Sequence, residues 1–497
     1  MGTILAPIAV WSWAALCVAL FALLRPPVAL AIGLIGGTML LPVHYVLQIE
    51  GLPDINRDVA TVLACTLGAV LFAWRDRVRR PLGVEWFAVA ALVGIAGTVV
   101  TNREATISGP RQLAGLSLWS GVSMAADFVL RIWLPFALAR RWIRDSEDLR
   151  SVLRVLVVAG LLYSVPMLWE ARMSPRLHEI VYGVSPAAFG QQVRPGGLGW
   201  RPMVFIGHGL ALAAFAVSTA LAAAALTRAR TRIGRLPISL PIPIYLYGIV
   251  VVCASMAATV YATFCVPAVL RLRARTSRRL LVALCVMILS YPLARAVDVF
   301  PTRLLVHLSS RLSTARAASL KFRFDMEDLL IERANGKPWF GWGGFGRSRR
   351  YGFQEIGRWY AVTDGYWMIV YGVQGAVGFL SIFGLLLYPV WRAARRKENG
   401  LDSSTQLLFL GVAWMAVIGT LDFLPNAFLT PRHLLIAGAL AGALASRQTV
   451  DTVSHGEGSP LPEPPPPTAT GASLGSGLLQ RPSRHAHLVG ISRKATR

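Results

Sequence analysis

Met203-Val-Phe-Ile-Gly-His-Gly-Leu-Ala-Leu-Ala-Ala-Phe-Ala-Val-Ser-Thr-Ala-Leu-Ala-Ala-Ala-Ala-Leu226 carries one ionisable side chain, His208, and is otherwise almost wholly apolar. Such a block has the length, about 20 residues, that spans ~30 Å of hydrocarbon as a helix. The bilayer interior offers the backbone no water, so a helix is the form it must take. Working outward, comparable blocks fall near 8–24, 28–47, 58–74, 84–101, 119–139, 150–170, 242–270, 279–297, 366–391, 404–423 and 428–446. The 497-residue chain is 55% hydrophobic with a mean hydropathy of +0.53, too apolar for a soluble protein of this length. The expected fold is all-α: a polytopic integral membrane protein of about 12–13 transmembrane helices, with short helices in one large outward loop. The first block has no basic segment before it, so it reads as a retained helix rather than a cleaved signal.

The formal charge is +25, and only four of the 50 basic residues are lysine. In a soluble protein a pI near 11.0 would suggest nucleic acid. Here the arginines cluster at the ends of apolar blocks, as the positive-inside rule asks, and no nucleic-acid partner is expected. Basic joints at Arg75–Arg80, Arg140–Arg144, Arg228–Arg235, Arg271–Arg279 and Arg392–Lys397 mark the cytoplasmic side, while 48–57 and 102–118 read as outward. Cys17, Cys65, Cys253, Cys265 and Cys285 all lie in apolar blocks without a C-x-x-C, so neither a disulfide framework nor a metal site is indicated.

The joints at 228–235 and 271–279 are both strongly basic, yet a single helix between them would place them on opposite faces. A hairpin within 242–270, turning near Ala254-Ser-Met256, removes the conflict, although the block is short for two full crossings. The chain then divides into N-terminal spans (1–297), an outward loop (298–364), the last three spans (365–446) and a Pro-rich tail (447–497) expected to be disordered and cytoplasmic.

The outward loop holds most of the candidate chemistry. Ser319–Ala334 reads as an amphipathic helix, with Lys321/Asp325 and Arg323/Glu327 four apart and Leu320, Phe324, Leu330 and Ile331 as an apolar stripe. It is either a surface helix with solvated charges or one whose arginines face a site. Lys337-Pro-Trp-Phe-Gly-Trp-Gly-Gly-Phe-Gly346 follows, then Arg347, Arg349, Arg350 and Arg358. Gly341, Gly343 and Gly346 spell G-x-G-x-x-G, but no strand precedes them and no βαβ unit can surround them, so a dinucleotide site is rejected. Trp339 and Trp342 could stack on sugar rings or lie at the headgroup level, and Arg347 could grip a phosphate. Asp364 could act as a general base on an acceptor hydroxyl, or cap the next helix; its spacing favours the cap. Arg201 and His208 flank the outward start of the 203–226 block, and His208 is either a site residue or a hydrogen-bonded interfacial histidine. Asp127 and Arg131, four apart in their span, most simply pair with each other.

Two stretches resemble the superfamily of bacterial O-antigen ligases and polysaccharide polymerases. One is Arg201-Pro-Met-Val-Phe-Ile-Gly-His208 opening a span; the other is an arginine-bearing loop helix, then Lys337–Gly346, then Asp364-Gly-Tyr-Trp367 and a Gly-x-x-Gly span. The layout of many spans with a large loop before the last three is similar too, over roughly residues 1–446, and Glu170-Ala-Arg-Met-Ser-Pro175 with Val181-Tyr-Gly183 looks like an exopolysaccharide-associated subgroup. The resemblance implies a glycosyltransferase of the bacterial inner membrane. It would move a glycan from an undecaprenyl-diphosphate carrier on the periplasmic face, without metal or other cofactor, for exopolysaccharide or O-antigen synthesis, with other polysaccharide export proteins as candidate partners. It implies that arginines hold the diphosphate, with Arg201 and one of Arg311, Arg316 and Arg323 at matching places. Where the family often has His-Asn before the helix after the glycine segment, this chain has Asp364-Gly365. That departure leaves Asp364 or His208 as the candidate base and favours polymerisation over ligation to lipid A. The alternatives are a transporter or flippase of lipid-linked sugars, which should show polar residues deep in several spans and an internal repeat, and a non-catalytic assembly protein.

Overall fold

A computed structural model describes residues 3–48, 54–73, 83–187, 192–193, 199–233, 236–351, 361–396 and 402–454. The basic joint 75–80, Arg194–Leu198, Arg358, Lys397 and the tail from 455 lie outside the described residues. The described helices are α1 (Leu5–Leu23), α2 (Pro26–Leu40), α3 (Arg57–Phe72), α4 (Glu85–Thr101), α5 (Leu118–Phe128), α6 (Leu134–Trp142), α7 (Ser146–Arg172), α8 (Leu177–Tyr182) and α9 (Gly209–Arg228). They continue with α10 (Pro241–Val252), α11 (Met256–Arg271), α12 (Ala274–Ala296), α13 (Thr302–Leu312), α14 (Thr314–Asn335), α15 (Tyr366–Arg395), α16 (Ser403–Leu421) and α17 (Pro431–Ser454). A π-helical turn, Val129–Trp133, joins α5 to α6. Among the described residues the only strands are two short antiparallel pairs, β1 (Thr106–Ser108) with β2 (Arg111–Leu113), and β3 (Arg232–Ile233) with β4 (Leu236–Pro237).

The protein is thus an all-α, multi-pass membrane protein. Among the described residues seven helical stretches are long and apolar enough to cross a bilayer, and shorter apolar helices fill the remaining blocks. α9 is the hub, packed against α7, α10, α11 and α16. Its alanines explain why. Small side chains let helices approach closely where the hydrophobic effect cannot drive them together. A Cβ at Gly160 of α7 would lie 2.7 Å from the Cβ of Thr219, and one at Gly411 of α16 would lie 2.5 Å from that of Ala225.

The 242–270 block is two helices. α10 and α11 are separated at Cys253–Ser255, where Ala254 has φ +51°. The Ala254 carbonyl accepts from Arg201, ahead of α9 (3.1 Å), whereas Arg228 at the far end of α9 donates to the carbonyls of Val269 (2.6 Å) and Leu272 (2.5 Å) at the end of α11. Ile238, just before α10, bonds Thr231 O (3.0 Å) at that same far end. The pair therefore runs out and back along α9, and residues 228–233 and 271–279 share one end of the bundle. With 12 and 16 residues, the two helices are about 18 and 24 Å long, short of a ~30 Å core.

The block quoted at the outset differs in one respect: its helix begins at Gly209, not at Met203. Met203–His208 is buried or half-buried non-helical backbone, with Val204 at φ +48° and Gly207 at φ +88°. Backbone of this kind survives inside a membrane protein only where side chains satisfy it, and they do. The buried Glu170 carboxylate accepts from Met203 N (2.8 Å), Val204 N (2.7 Å) and Leu177 N (2.9 Å). The Tyr163 hydroxyl accepts from Phe205 N (3.0 Å), and Arg57 donates to the carbonyls of Phe205 (2.6 Å) and Ile206 (2.8 Å).

Candidate functional site

This braced segment positions Arg201 and His208. The Arg201 side chain lies over Gly209, where a Cβ would come within 2.3 Å of its Cδ. His208 is the N-cap of α9, and its Nδ1 accepts from Leu210 N at 3.2 Å. In the neutral ring the proton then belongs on Nε2, because each nitrogen takes one role. The ring stacks on Phe428 with centroids 4.4 Å apart.

Arg323 arrives from the loop. The helix expected over 319–334 lies within the longer α14, and its stripe packs on protein rather than on solvent: Leu330 and Ile331 are buried and Leu320 and Phe324 half-buried, with Met326 buried beside them. Of the two expected ion pairs, Lys321–Asp325 forms at 2.7 Å. Arg323–Glu327 does not, because tertiary partners compete successfully for both. Glu327 accepts from Arg295 (3.2 Å) and Tyr291 (3.1 Å) of α12 and from the Trp367 indole (3.1 Å) of α15, while Asp328 takes a second Arg295 bond at 2.8 Å. This latch holds α14 against two spans and aims Arg323, one turn earlier, at Asp364 (3.5 Å) and the Pro425 carbonyl (2.8 Å).

Asp364 is not the helix cap that its spacing favoured. Gly365 occupies the N-cap position of α15 with no side-chain bond, and Asp364 turns to Arg323 instead. Both partners remain reachable, with side chains 28% and 34% exposed. Arg201, His208, Arg323 and Asp364, drawn from three separate parts of the chain, thus meet at the end of the bundle where α9 begins. Arg316 borders the group, its guanidinium 3.2 Å from the sulfur of Met256 beside the α10–α11 turn. Arg311 is exposed on α13 and meets His307 of its own helix at 3.5 Å rather than joining the group.

The aromatic and glycine segment has another task. α15 is broken at Gly375 (φ 63°, ψ −162°), and the loop backbone fills the break. Trp342 N and Gly343 N donate to the carbonyls of Gly372 and Val373 (2.9 Å each), while Ala376 N and Val377 N donate to those of Pro338 (2.8 Å) and Trp339 (3.2 Å). Trp342 donates to Arg333 O at 2.6 Å and lies under the Arg333 guanidinium, 4.1 Å from its centroid; Trp339 is 67% exposed. Arg347 is buried, and its N–H groups go to Trp342 O, Leu113 O, Ala114 O, Glu104 O and the Asn102 amide oxygen. All five donors of a guanidinium are thereby used. Arg347 is a clasp between the loop and the segment after α4, with no donor left for a phosphate.

Sequence reasoning missed the loop between α16 and α17, which touches Arg323, His208 and the start of α15. Pro425 O receives Arg323, Asn426 O receives Tyr366 N (3.1 Å), and Phe428 carries His208. Asp422 begins it, buried and bonded to the Asn426 amide at 2.8 Å. Burial pushes the Asp422 carboxyl up to about 6, with Asn426, Arg432 and Arg323 opposing. The available signal was Asp422-Phe-Leu-Pro-Asn426 and Arg432-His433, ionisable residues at or in apolar spans.

Burial, with Arg201 and Arg323 nearby, pulls the His208 imidazole down to about 4. Its protonation therefore favours the unfolded chain, and the folded state loses stability as pH falls from ~6.5 toward that value. Asp422 works oppositely, adding stability at low pH that is lost as pH rises through about 6. The comparison of variants isolates the histidine. Thermal unfolding in detergent, scanned from neutral pH to about pH 4, should show a shallower acid loss in His208→Gln than in the unaltered protein; parallel curves would refute this assignment.

Among the described residues no three His, Cys, Asp or Glu side chains gather closely enough to hold a metal ion. No protein-family model matches the chain, and a search of curated proteins finds none similar to it. Fold and side chains define a multi-pass membrane protein with an arginine, histidine and carboxylate cluster at one end of its helix bundle.

Proposed function

We propose that the protein is a membrane glycosyltransferase of the O-antigen ligase and polymerase type. It transfers or polymerises an undecaprenyl-diphosphate-linked glycan at the periplasmic face of the bacterial inner membrane, with its C-terminal tail in the cytoplasm. The observation that carries this reading is the convergence of Arg201 and Arg323 on His208, with Asp364 paired to Arg323. Guanidinium groups suit a diphosphate leaving group because they match phosphate oxygens in geometry as well as charge. A basic site also attracts an anionic lipid carrier.

The chemistry divides between the residues. As the bond from the anomeric carbon to the diphosphate oxygen breaks, that oxygen keeps the electron pair, and Arg201 and Arg323 stabilise the growing charge. His208, neutral and with its Nδ1 engaged by Leu210, offers Nε2–H as a further donor. It is poorly placed to be the base. Asp364 takes that role: an arriving diphosphate competes for Arg323, and the released carboxylate accepts the proton of the acceptor hydroxyl as its oxygen bonds to the anomeric carbon. A transporter reading draws on the discontinuous helix α15, but that break is filled by the Pro338–Gly343 backbone.

Deleting the gene tests the proposal. The expected result is loss or shortening of the surface polymer and accumulation of lipid-linked repeats, restored by the unaltered gene and not by Asp364→Ala. Unchanged chain length without accumulated intermediates would discard the reading.

A further inference from the structure

A second site lies on the other flank of the start of α15. Between α5, the π-turn and α15 is a half-open cleft of about 440 Å³. Its walls carry an unusual set of groups. The π-turn, a widened form of helix frequent at functional sites, follows Asp127 and presents Arg131, and the two pair at 2.5 Å, as their spacing suggested. Arg131 also donates to the Asp54 carbonyl at 3.2 Å, and Asp54 itself lines the cleft. Gln374, immediately before the break in α15, has a buried Oε1 with no hydrogen-bond partner. Phe345 stands 64% exposed on a backbone at φ +57°, and Tyr366, two residues after Asp364, forms part of the wall.

The chemistry narrows the ligand. Asp127 pairs with the one guanidinium and Asp54 adds a second carboxyl group to the lining, which leaves no net positive charge to draw a phosphate. A buried carbonyl oxygen without a partner is costly unless a ligand or water supplies a donor. An exposed aromatic ring beside amide and carboxylate oxygens offers a sugar both an apolar face and hydroxyl partners. We propose that this cleft binds a neutral saccharide and, resting on the function proposed above, that it is the acceptor subsite, separate from the arginine cluster that holds the diphosphate.

The test uses the full-length protein in detergent or nanodiscs and, as probe, oligosaccharides released by mild acid from the polysaccharide that the host secretes. Binding is read by saturation-transfer NMR and titration calorimetry. The unaltered protein should bind, Phe345→Ala and Gln374→Ala should each weaken binding about tenfold, and Arg323→Ala should leave it unchanged. Phe345 is exposed, so its variant should fold normally, which a melting curve checks. No binding, binding in both cleft variants as tight as in the unaltered protein, or binding of a free diphosphate at the cleft in place of the sugar would overturn the proposal. Failures separate cleanly. Loss of polymer in Arg323→Ala with normal polymer and normal sugar binding in Phe345→Ala overturns the cleft alone. Sugar binding at the cleft with normal polymer in Arg323→Ala supports the cleft and overturns the transferase reading.

Discussion

Arg323→Ala should lower polymer formation by about 10²–10³-fold, the loss typical when one preorganised donor to developing negative charge is removed. Arg323 is the member of the cluster with two tasks, since it pairs with Asp364 at 3.5 Å and lies close enough to depress His208. Removing it deprives the departing diphosphate of a guanidinium and leaves Asp364 without its partner in the resting site. The fold should tolerate the change. The side chain is 28% exposed, its partner Asp364 34% exposed, and the latch that holds α14 runs through Glu327 and Asp328. Unfolding temperature should therefore move little while activity collapses. Arg323→Lys keeps the charge but loses the planar fork, and should fall between alanine and the unaltered protein. The measurement is polymer length and lipid-linked repeat in cells carrying each variant, normalised to folded protein. Normal polymer from a folded Arg323→Ala protein would remove the residue from the mechanism and overturn the transferase reading.

Gly375→Ala should be severely damaging, for structural reasons. At φ 63° and ψ −162°, Gly375 occupies backbone space that is essentially reserved for glycine and costs other residues ~1–3 kcal/mol. The added Cβ would also lie 2.3 Å from the carbonyl carbon of Trp339 and 2.4 Å from its oxygen. Relief requires the loop backbone to withdraw from the break. Withdrawal opens the bonds from Trp342 and Gly343 to α15, and those from Ala376 and Val377 to Pro338 and Trp339. A buried backbone group left unpaired costs ~1–3 kcal/mol, so the combined loss is a large share of the ~5–15 kcal/mol that holds a typical domain. The expected result is little or no folded protein in the membrane. Gly344→Ala, with nothing within 4 Å of the new methyl, is the internal control and should accumulate normally. Equal yields and melting temperatures for the two variants would refute the claim that the loop and the broken helix support each other.

The two cases show where reading residues in order reached and where it stopped. The spans were legible because one number, the length of an uninterrupted apolar block, decides whether a helix can cross a bilayer. The α10–α11 hairpin was legible because basic joints on both sides forced it, and Ala254 turned out to be its corner. Arg201, His208, Arg323 and Asp364 were named from residue type and from the resemblance. Nothing in their spacing distinguished them from Arg347, which has equal charge and comparable company but spends every donor on carbonyls. The G-x-G-x-x-G spelling was rejected as a nucleotide loop, yet its purpose could not be seen. Its glycines let one backbone enter another helix, and that partner begins some twenty residues later.

Membrane placement and the number of apolar helical blocks thus follow from the sequence by itself, because hydrophobic length and charge at helix ends are local, additive properties. Which arginine faces a cleft and which is consumed as a clasp was decided only by the tertiary structure. So was the choice of Asp364 as the partner of Arg323 over the nearer Glu327, and the start of α9 at Gly209 rather than Met203. Each of these is a competition among polar groups for a limited set of partners. The winners, Arg295 for Glu327 and Glu170 for the backbone of Met203 and Val204, come from elsewhere in the chain. Hydrophobic length is counted along a chain, but hydrogen-bond partners are assigned in space.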